Sequence, residues 1–497
     1  MENNLVYGIH DKPKFGAMIV FAIQQLLAIM AATIAVPSII GLPVQIPSAI
    51  LGAGIGTLIY QLFTRFKSPV FLGSSFAFLS SLFVAVTYGY CGIVLGSVVA
   101  GLVYVILAII IRFTGAKWIN KLMPPVIIGP TVALIGLSLA VNAMGDIVTA
   151  TASEHNKGYN LIALLCGLIS FFTIIICSTQ KRFKMTKLIP FISGVAAGYI
   201  VATIFTIIGN VCDLDYLKII NFDLLISNFV NDNGSFKGIT AIFDYPHFAL
   251  LEGIKEQLNG QPSKDIITAV ETLIKNGALP EGTTASLLTV SGIAEIIVAF
   301  LPVALVVFAE HIADHKNLSS IINKYLLEEP GLHRKLLGDG VGSITGTIFG
   351  ICPNTTYGES VGCVAITRNA SVCTITTTAI MCIILSFIKP IMVLLQTIPN
   401  CVMGGVCLTL YGFIAVSGLK MFKDLDLNEN KNLFVVSAIF ISGIGGLAIK
   451  IPYAFDKAGA VAANITVTPI ATALIIGIIT NFVLTKIENS KLGKEKN

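Results

Sequence analysis

The chain has 497 residues, 55% of them hydrophobic and only 12% charged, with a formal net charge of +5 and a mean hydropathy of +0.85. Soluble domains carry about 25% charged residues, so this composition excludes a water-soluble globular protein. The basic residues are scattered over short loops rather than gathered into a patch, so nucleic acid is not expected as a partner.

The opening MENNLVYGIHDKPKF is polar and has no basic region leading into a short cleavable apolar core. The first apolar run therefore reads as a retained span. Windows of about 19 residues predict spans over 14–37, 46–64, 91–112, 124–142, 160–178 and 188–209. A second series is predicted over 287–313, 337–351, 371–388, 390–416, 432–449 and 463–485. Each run is long enough to cross about 30 Å of hydrocarbon, so the lipid bilayer is the solvent. Two further segments, SPVFLGSSFAFLSSLFVAV (68–86) and CPNTTYGESVGCVAITR (352–368), are too interrupted to be simple spans.

Counting both segments gives fourteen crossings, seven and seven. Arg65, Lys67, Arg112, Lys117, Lys121, Lys181, Arg182, Lys184 and Lys187 fall in loops on one side. Lys316, Lys324, Arg334, Lys335, Arg368, Lys420 and Lys423 join them, as do both basic termini. The opposite short loops, such as GLPVQIPSA, hold none. The positive-inside rule makes both termini cytoplasmic, which requires an even number of spans. The organisation read from this is a cytoplasmic tail (1–13), a seven-segment repeat (14–209), an extracytoplasmic loop (210–286), a second repeat (287–485) and a cytoplasmic tail (486–497). Within the loop, SKDIITAVETLIKNGALPEG reads as a short amphipathic helix with no chemistry of its own. The ten cysteines lie mostly in apolar runs without CxxC spacing, which reads as small buried hydrophobes.

The two broken segments stand third in each group of seven, and the second group must enter the membrane inverted. That is the plan of an inverted-repeat transporter whose site lies where the broken segments meet. The chemistry concentrates there. In FAEHIADH, Glu310 and Asp314 share one helix face, and a carboxylate in such an apolar run is functional by default. Burial and a neighbouring acid both favour its protonated form. A simpler reading leaves Asp314 and His315 in water at the helix end, with His311 and His315 structural. In PNTTYGES, Pro353 and the β-favouring Thr355, Thr356 and Tyr357 break the helix. Gly358 then opens a half-helix at Glu359, whose positive end suits carbonyl or anionic groups. Opposite, GSSFAF places Ser74, Ser75 and the flat face of Phe76 at a second break. Acceptors, backbone donors and a ring suit a small planar solute with N–H and C=O groups along its edge.

The motifs GSSFAF, AEHIADH, EEPGLHRKLLGDG, PNTTYGES followed by AITR, and LYGFIAVSG resemble those of the nucleobase–cation symporters, also called nucleobase–ascorbate transporters, and among them bacterial uracil permeases. The likeness runs from about Lys14 to about residue 485, apart from the loop. It implies an all-α polytopic membrane protein of fourteen segments in a 7+7 inverted repeat with core and gate domains, and two short strands in segments three and ten. It implies proton-coupled import of a nucleobase, uracil before xanthine or another purine, often as a homodimer. Carried over by motif, Glu310 and Glu359 bind the base, helped by the backbone of Tyr357 and Gly358. Phe76 lines the pocket, Tyr411 approaches from the gate side, and Glu310 with Asp314 handles the proton. The sequence departs from the family pattern at Ser360, where Asn is usual, and at Gln25, where His is usual. No cofactor is implied. His311 and His315 have the i, i+4 spacing of helix-borne zinc ligands, but Ile312 follows His311 where a zinc protease needs Glu, and no third ligand motif is present.

Overall fold

The computed structural model describes every residue except 1–4, 116–117, 119–123, 151–158, 181–189, 232–235, 325, 422–424, 456–460 and 495–497. Lys117, Lys121, Lys181, Arg182, Lys184, Lys187, Lys423 and Lys496 fall outside the described residues, and the Glu359 side chain is likewise outside the description.

The first half runs α1 (Phe15–Ile39), α2 (Ile46–Phe63), β1 (Leu72–Ser74), α3 (Leu79–Val86), α4 (Gly89–Thr114), α5 (Pro125–Ile147), α6 (Leu161–Thr179) and α7 (Pro190–Val211). A connecting region holds α8 (Asp223–Phe229), α9 (Ala249–Asn259) and α10 (Lys264–Lys275). The second half begins with α11 (Val290–Ile322), α12 (Leu332–Phe349), β2 (Asn354–Thr356) and α13 (Gly358–Thr367). It continues through α14 (Val372–Leu385), α15 (Lys389–Gln396), α16 (Asn400–Lys420), α17 (Asn430–Ile444), β3 (Ile449–Phe455), β4 (Val461–Val467) and α18 (Pro469–Lys494). Nine helices among the described residues are long and apolar enough to cross a membrane. The expected all-α polytopic architecture is the observed one, with few and short strands.

Local chemistry sets several boundaries. Asn160 caps α6 by accepting from the amides of Ile162 and Ala163, Ser263 caps α10 through Ile266, and Thr289 caps α11 through Gly292. Each satisfies amides that a helix start leaves open. Three boundaries differ from the sequence reading. The span expected at 390–416 is two helices, α15 and α16, parted at Pro399 because the residue before proline avoids the helical region. Ile449, expected to end one span, and 463–467, expected to open the next, lie instead in the paired strands β3 and β4, so α17 ends at Ile444 and α18 begins at Pro469. And α11 continues to Ile322, nine residues beyond its expected end, because Leu318 and Ile322 bury against Tyr60, Val70 and Val361. Asp314 and His315 therefore sit inside a helix rather than at a solvated tip, and Lys335, expected in a loop, lies inside α12 with no exposed surface.

Packing divides the helices into two bodies. In one, α1, α2 and α4 pack with α11, α12 and α14; in the other, α5, α6 and α7 pack with α16, and α17 with α18. Within the first body, α2 and α12 approach backbone to backbone through glycine. A Cβ on Gly52 would stand 2.2 Å from the carbonyl oxygen of Gly346. Small residues permit such contact where apolar burial gives helices no reason to associate in lipid.

The connecting region is folded, not slack. Its helix α10 hides Ile266, Ala269, Val270 and Leu273. The buried Glu256 accepts from the amides of Tyr90 and Ser263, each at 2.9 Å. Earlier in the region, Ile219 and Ile220 donate to the Thr206 hydroxyl of α7, and Asp244 pairs with Lys389 at 3.2 Å.

Candidate transport site

The broken segments meet as expected. β1 and β2 pair antiparallel with Leu72 opposite Thr356, Gly73 opposite Thr355 and Ser74 opposite Asn354. Irregular backbone at membrane depth survives only when buried in protein or lining a cavity, and here side chains close the remaining bonds. The Thr57 hydroxyl accepts from the Leu72 amide at 2.9 Å, Ser343 accepts from the Asn354 amide at 3.0 Å, and the Asn354 side chain donates to the Gly52 carbonyl at 2.9 Å. Gly73 is glycine because a Cβ there would lie 2.3 Å from the ring of Tyr357. That ring is buried, and its hydroxyl donates to the Ser74 carbonyl at 2.7 Å.

Over this floor lies a cavity of about 410 Å³, a size suited to a small organic ligand. Its polar side carries Ser75, Phe76, Glu310, Asp314, Thr355 and Gly358; its opposite wall is apolar, with Val132 and Ile135 of α5, Phe191 of α7, and Phe413 and Ile414 of α16. The cavity thus falls between the two bodies. Glu310 and Asp314, one turn apart on α11, are both half-buried. Thr356 donates to Asp314 at 3.0 Å. Gly358 begins α13, whose first-turn amides point toward the cavity end of that helix, a ready site for an acceptor on a ligand. Phe76 is 6% exposed and meets Tyr411 edge to face, with ring centroids 5.7 Å apart. Tyr411 itself is buried and stands behind Phe76 rather than at the cavity surface. Glu359 is the second residue of α13 by backbone position.

Glu310, Asp314, Phe76, Tyr357 and Gly358 are therefore brought together around one cavity. The sequence reading placed Ser75, Thr355 and Thr356 at the two breaks but gave them no part in the site; their hydroxyls were the available signal. It also treated the two departures from the family pattern separately. The structure joins them: the Gln25 amide of α1 donates to the Ser360 hydroxyl of α13, and both are buried. Ser360→Ala leaves a buried amide without this acceptor, a loss of about 1–3 kcal/mol. In a double-mutant cycle, Gln25→His and Ser360→Asn are expected to couple by about 1 kcal/mol in thermal stability, because the two side chains share one contact. Additive effects would show that the pair does not act as a unit.

The histidines do not converge on a shared point. His311 Nδ1 lies 2.6 Å from Asp339 Oδ2, while His315 Nε2 lies 2.9 Å from the Tyr60 hydroxyl. Among the described residues, no group of three or more His, Cys, Asp or Glu side chains is arranged to hold a metal ion.

Comparison with known proteins places the chain in a family. A family model described as a permease family matches residues 16–223 and 285–452, leaving out the stretch that contains α8, α9 and α10. The uracil permease of Bacillus caldolyticus is 33% identical over 485 residues, covering 97% of this chain and 95% of that protein. The uracil permease of Bacillus subtilis (strain 168) is 32% identical, covering 96% and 94%. That of Escherichia coli (strain K12) is 30% identical, covering 95% and 94%. Among solved structures, murine Solute Carrier 26 family member A9, an anion transporter in the inward-facing state, superposes with a TM-score of 0.59 at 10% identity, over 96% of this chain and 69% of that one. The transmembrane domain of the cyanobacterial bicarbonate transporter BicA gives 0.50 at 13% identity, over 95% and 99%. At such identities the likeness is one of fold. The chain belongs to the permease family of nucleobase–ascorbate transporters, and it is a multi-pass membrane transporter rather than an enzyme.

Proposed function

We propose that this protein is a proton-coupled symporter that imports a nucleobase, uracil before xanthine, by alternating access. The observation that carries the reading is the pair Glu310 and Asp314, one turn apart in a cavity at the seam of two helix bodies, facing the amide end of α13. A planar base edge offers N–H donors to the carboxylates and carbonyl acceptors to the amides, while Phe76 and the apolar wall cover its faces. Two acids sharing one cavity resist simultaneous ionisation, so a proton enters with the solute and leaves with it. The relatives named uracil permeases support the choice of base. Glu359, which stands at the motif position that binds base in the family, favours uracil; Asp314 favours xanthine.

In this reading both termini are cytoplasmic, residues 210–286 face outward in the plasma membrane, and the two seven-segment halves are inverted copies. Assembly is as a homodimer. Cells lacking their own carriers and expressing the protein are expected to show saturable uptake of radiolabelled uracil that a protonophore abolishes. Unlabelled uracil should compete at least tenfold better than xanthine, a difference of about 1.4 kcal/mol. The reverse order of competition would assign the protein to purines; no saturable uptake of any base would end the proposal.

A further inference from the structure

On the flank of α11 next to its cavity-facing acids, four side chains that water ordinarily solvates are sealed within the protein. They are His311 and His315 of α11 and Lys335 and Asp339 of α12, each with no exposed surface. Both pairs are spaced i, i+4, so each occupies one helix face. His311 Nδ1 stands 2.6 Å from Asp339 Oδ2, and the two imidazole centroids are 4.2 Å apart. Lys335 lies near enough to His315 for their charges to interact.

The hydrogen bonds distinguish the two rings. His315 Nδ1 is 2.8 Å from the His311 carbonyl, which can only accept, so Nδ1 carries a hydrogen. Nε2 of the neutral ring then accepts from the Tyr60 hydroxyl at 2.9 Å, and Ser68 backs Tyr60 at 2.8 Å. His315 is thereby occupied at both nitrogens. His311 shares a hydrogen with Asp339, and among the described residues its Nε2 has no hydrogen-bond partner; nor do Asp339 Oδ1 and Lys335 Nζ. An imidazole backed by a carboxylate, with its second nitrogen open, is a proton acceptor. Against the pair stand the Tyr104 phenol of α4 and Tyr60 of α2; Lys335 is one turn from Asp339 on α12, and Glu310 and Asp314 of α11 act on Tyr104. One residue joins the pair to the cavity: Thr355 of β2 lines the cavity and sits beside both Asp339 and Tyr104.

We propose that the His311–Asp339 pair is a second proton-holding site of the transport cycle, acting through Thr355 on the charge of the Glu310 and Asp314 cavity. The inference rests on the proton-coupled reading above. The pair takes one proton from the cavity acids at His311 Nε2, forming imidazolium beside carboxylate, and returns it to them without any covalent change. A unit charge so near, in surroundings that screen weakly, alters the proton affinity of the neighbouring carboxylates about tenfold or more.

Two measurements on the full-length protein decide it. Infrared difference spectra of purified protein between about pH 5 and about pH 9 read histidine and carboxyl bands with no substrate present. Bands that titrate in the parent should vanish in both Asp339→Asn and His311→Gln; identical spectra in parent and variants overturn the proposal. In proteoliposomes, uracil exchange at equal pH is compared with accumulation driven by a pH gradient. Asp339→Asn should lose accumulation about tenfold more than exchange, whereas equal losses would mean a structural role and overturn the proposal. A parent that never exchanges base, or exchanges without accumulating, refutes the proposed function, while the spectra still decide the pair.

Discussion

Glu310→Gln is expected to lower concentrative uracil uptake by about 100-fold, within the 2–5 kcal/mol that loss of one partner in a desolvated charge pair costs. The substitution keeps the shape of the side chain and a carbonyl acceptor. It removes the second acceptor oxygen and the exchangeable proton. Glu310 is half-buried on the cavity wall, one turn from Asp314, so the amide also relieves the repulsion that favours proton uptake at this face. Binding and accumulation should therefore separate: base binding to purified protein weakens, while protonophore-sensitive accumulation is lost almost entirely. Calorimetric binding and uptake on the same preparation check this. A variant that binds and accumulates base as well as the parent would remove Glu310 from the mechanism.

Gly73→Ala should have the next largest effect, through shape alone. The new methyl would stand 2.3 Å from Tyr357 Cε2 and 2.5 Å from its Cζ. The ring has little room to move, being 4% exposed and anchored by the hydrogen bond to the Ser74 carbonyl. Overpacking of this kind costs about 1–3 kcal/mol, and here the displaced residue is the one that immediately precedes Gly358 and α13. Base affinity should fall about 10- to 100-fold, with a lower melting temperature in detergent. Gly16→Ala, where a Cβ meets nothing within 4 Å, serves as the control and should change neither. Unchanged affinity in Gly73→Ala would show that the strand pair tolerates separation.

Much of the fold was legible because lipid leaves few options. A run of about 20 apolar residues has one stable outcome, so α1, α2, α4 to α7 and the start of α11 fall near their expected places. The breaks at 72–74 and 354–356 were legible for the complementary reason: serine, threonine, glycine and proline interrupt both runs at matching positions. What escaped were features whose cause lies elsewhere in the chain. The end of α11 depends on burial of Leu318 and Ile322 against α2 and α13, which no local pattern announces. Apolar, β-branched residues such as Ile465 and Val467 serve a strand as well as a span. Lys335 counted as a loop charge because the span was expected to begin at residue 337, yet α12 begins at Leu332 and turns it inward. Ser360 and Gln25, each a departure by itself, make sense only once α1 and α13 are seen to touch.

The ladder between Leu72–Ser74 and Asn354–Thr356 also limits what the transporter can carry. Its crosspiece fastens the two halves of the cradle, so the cradle cannot spread to admit a wider cargo. A bicyclic molecule gains space only where Val132, Ile135 and Phe413 yield. Under the proposed function, discrimination between one ring and two falls to the apolar wall, and relaxing it there should broaden the menu while leaving the grip on the polar edge as it was.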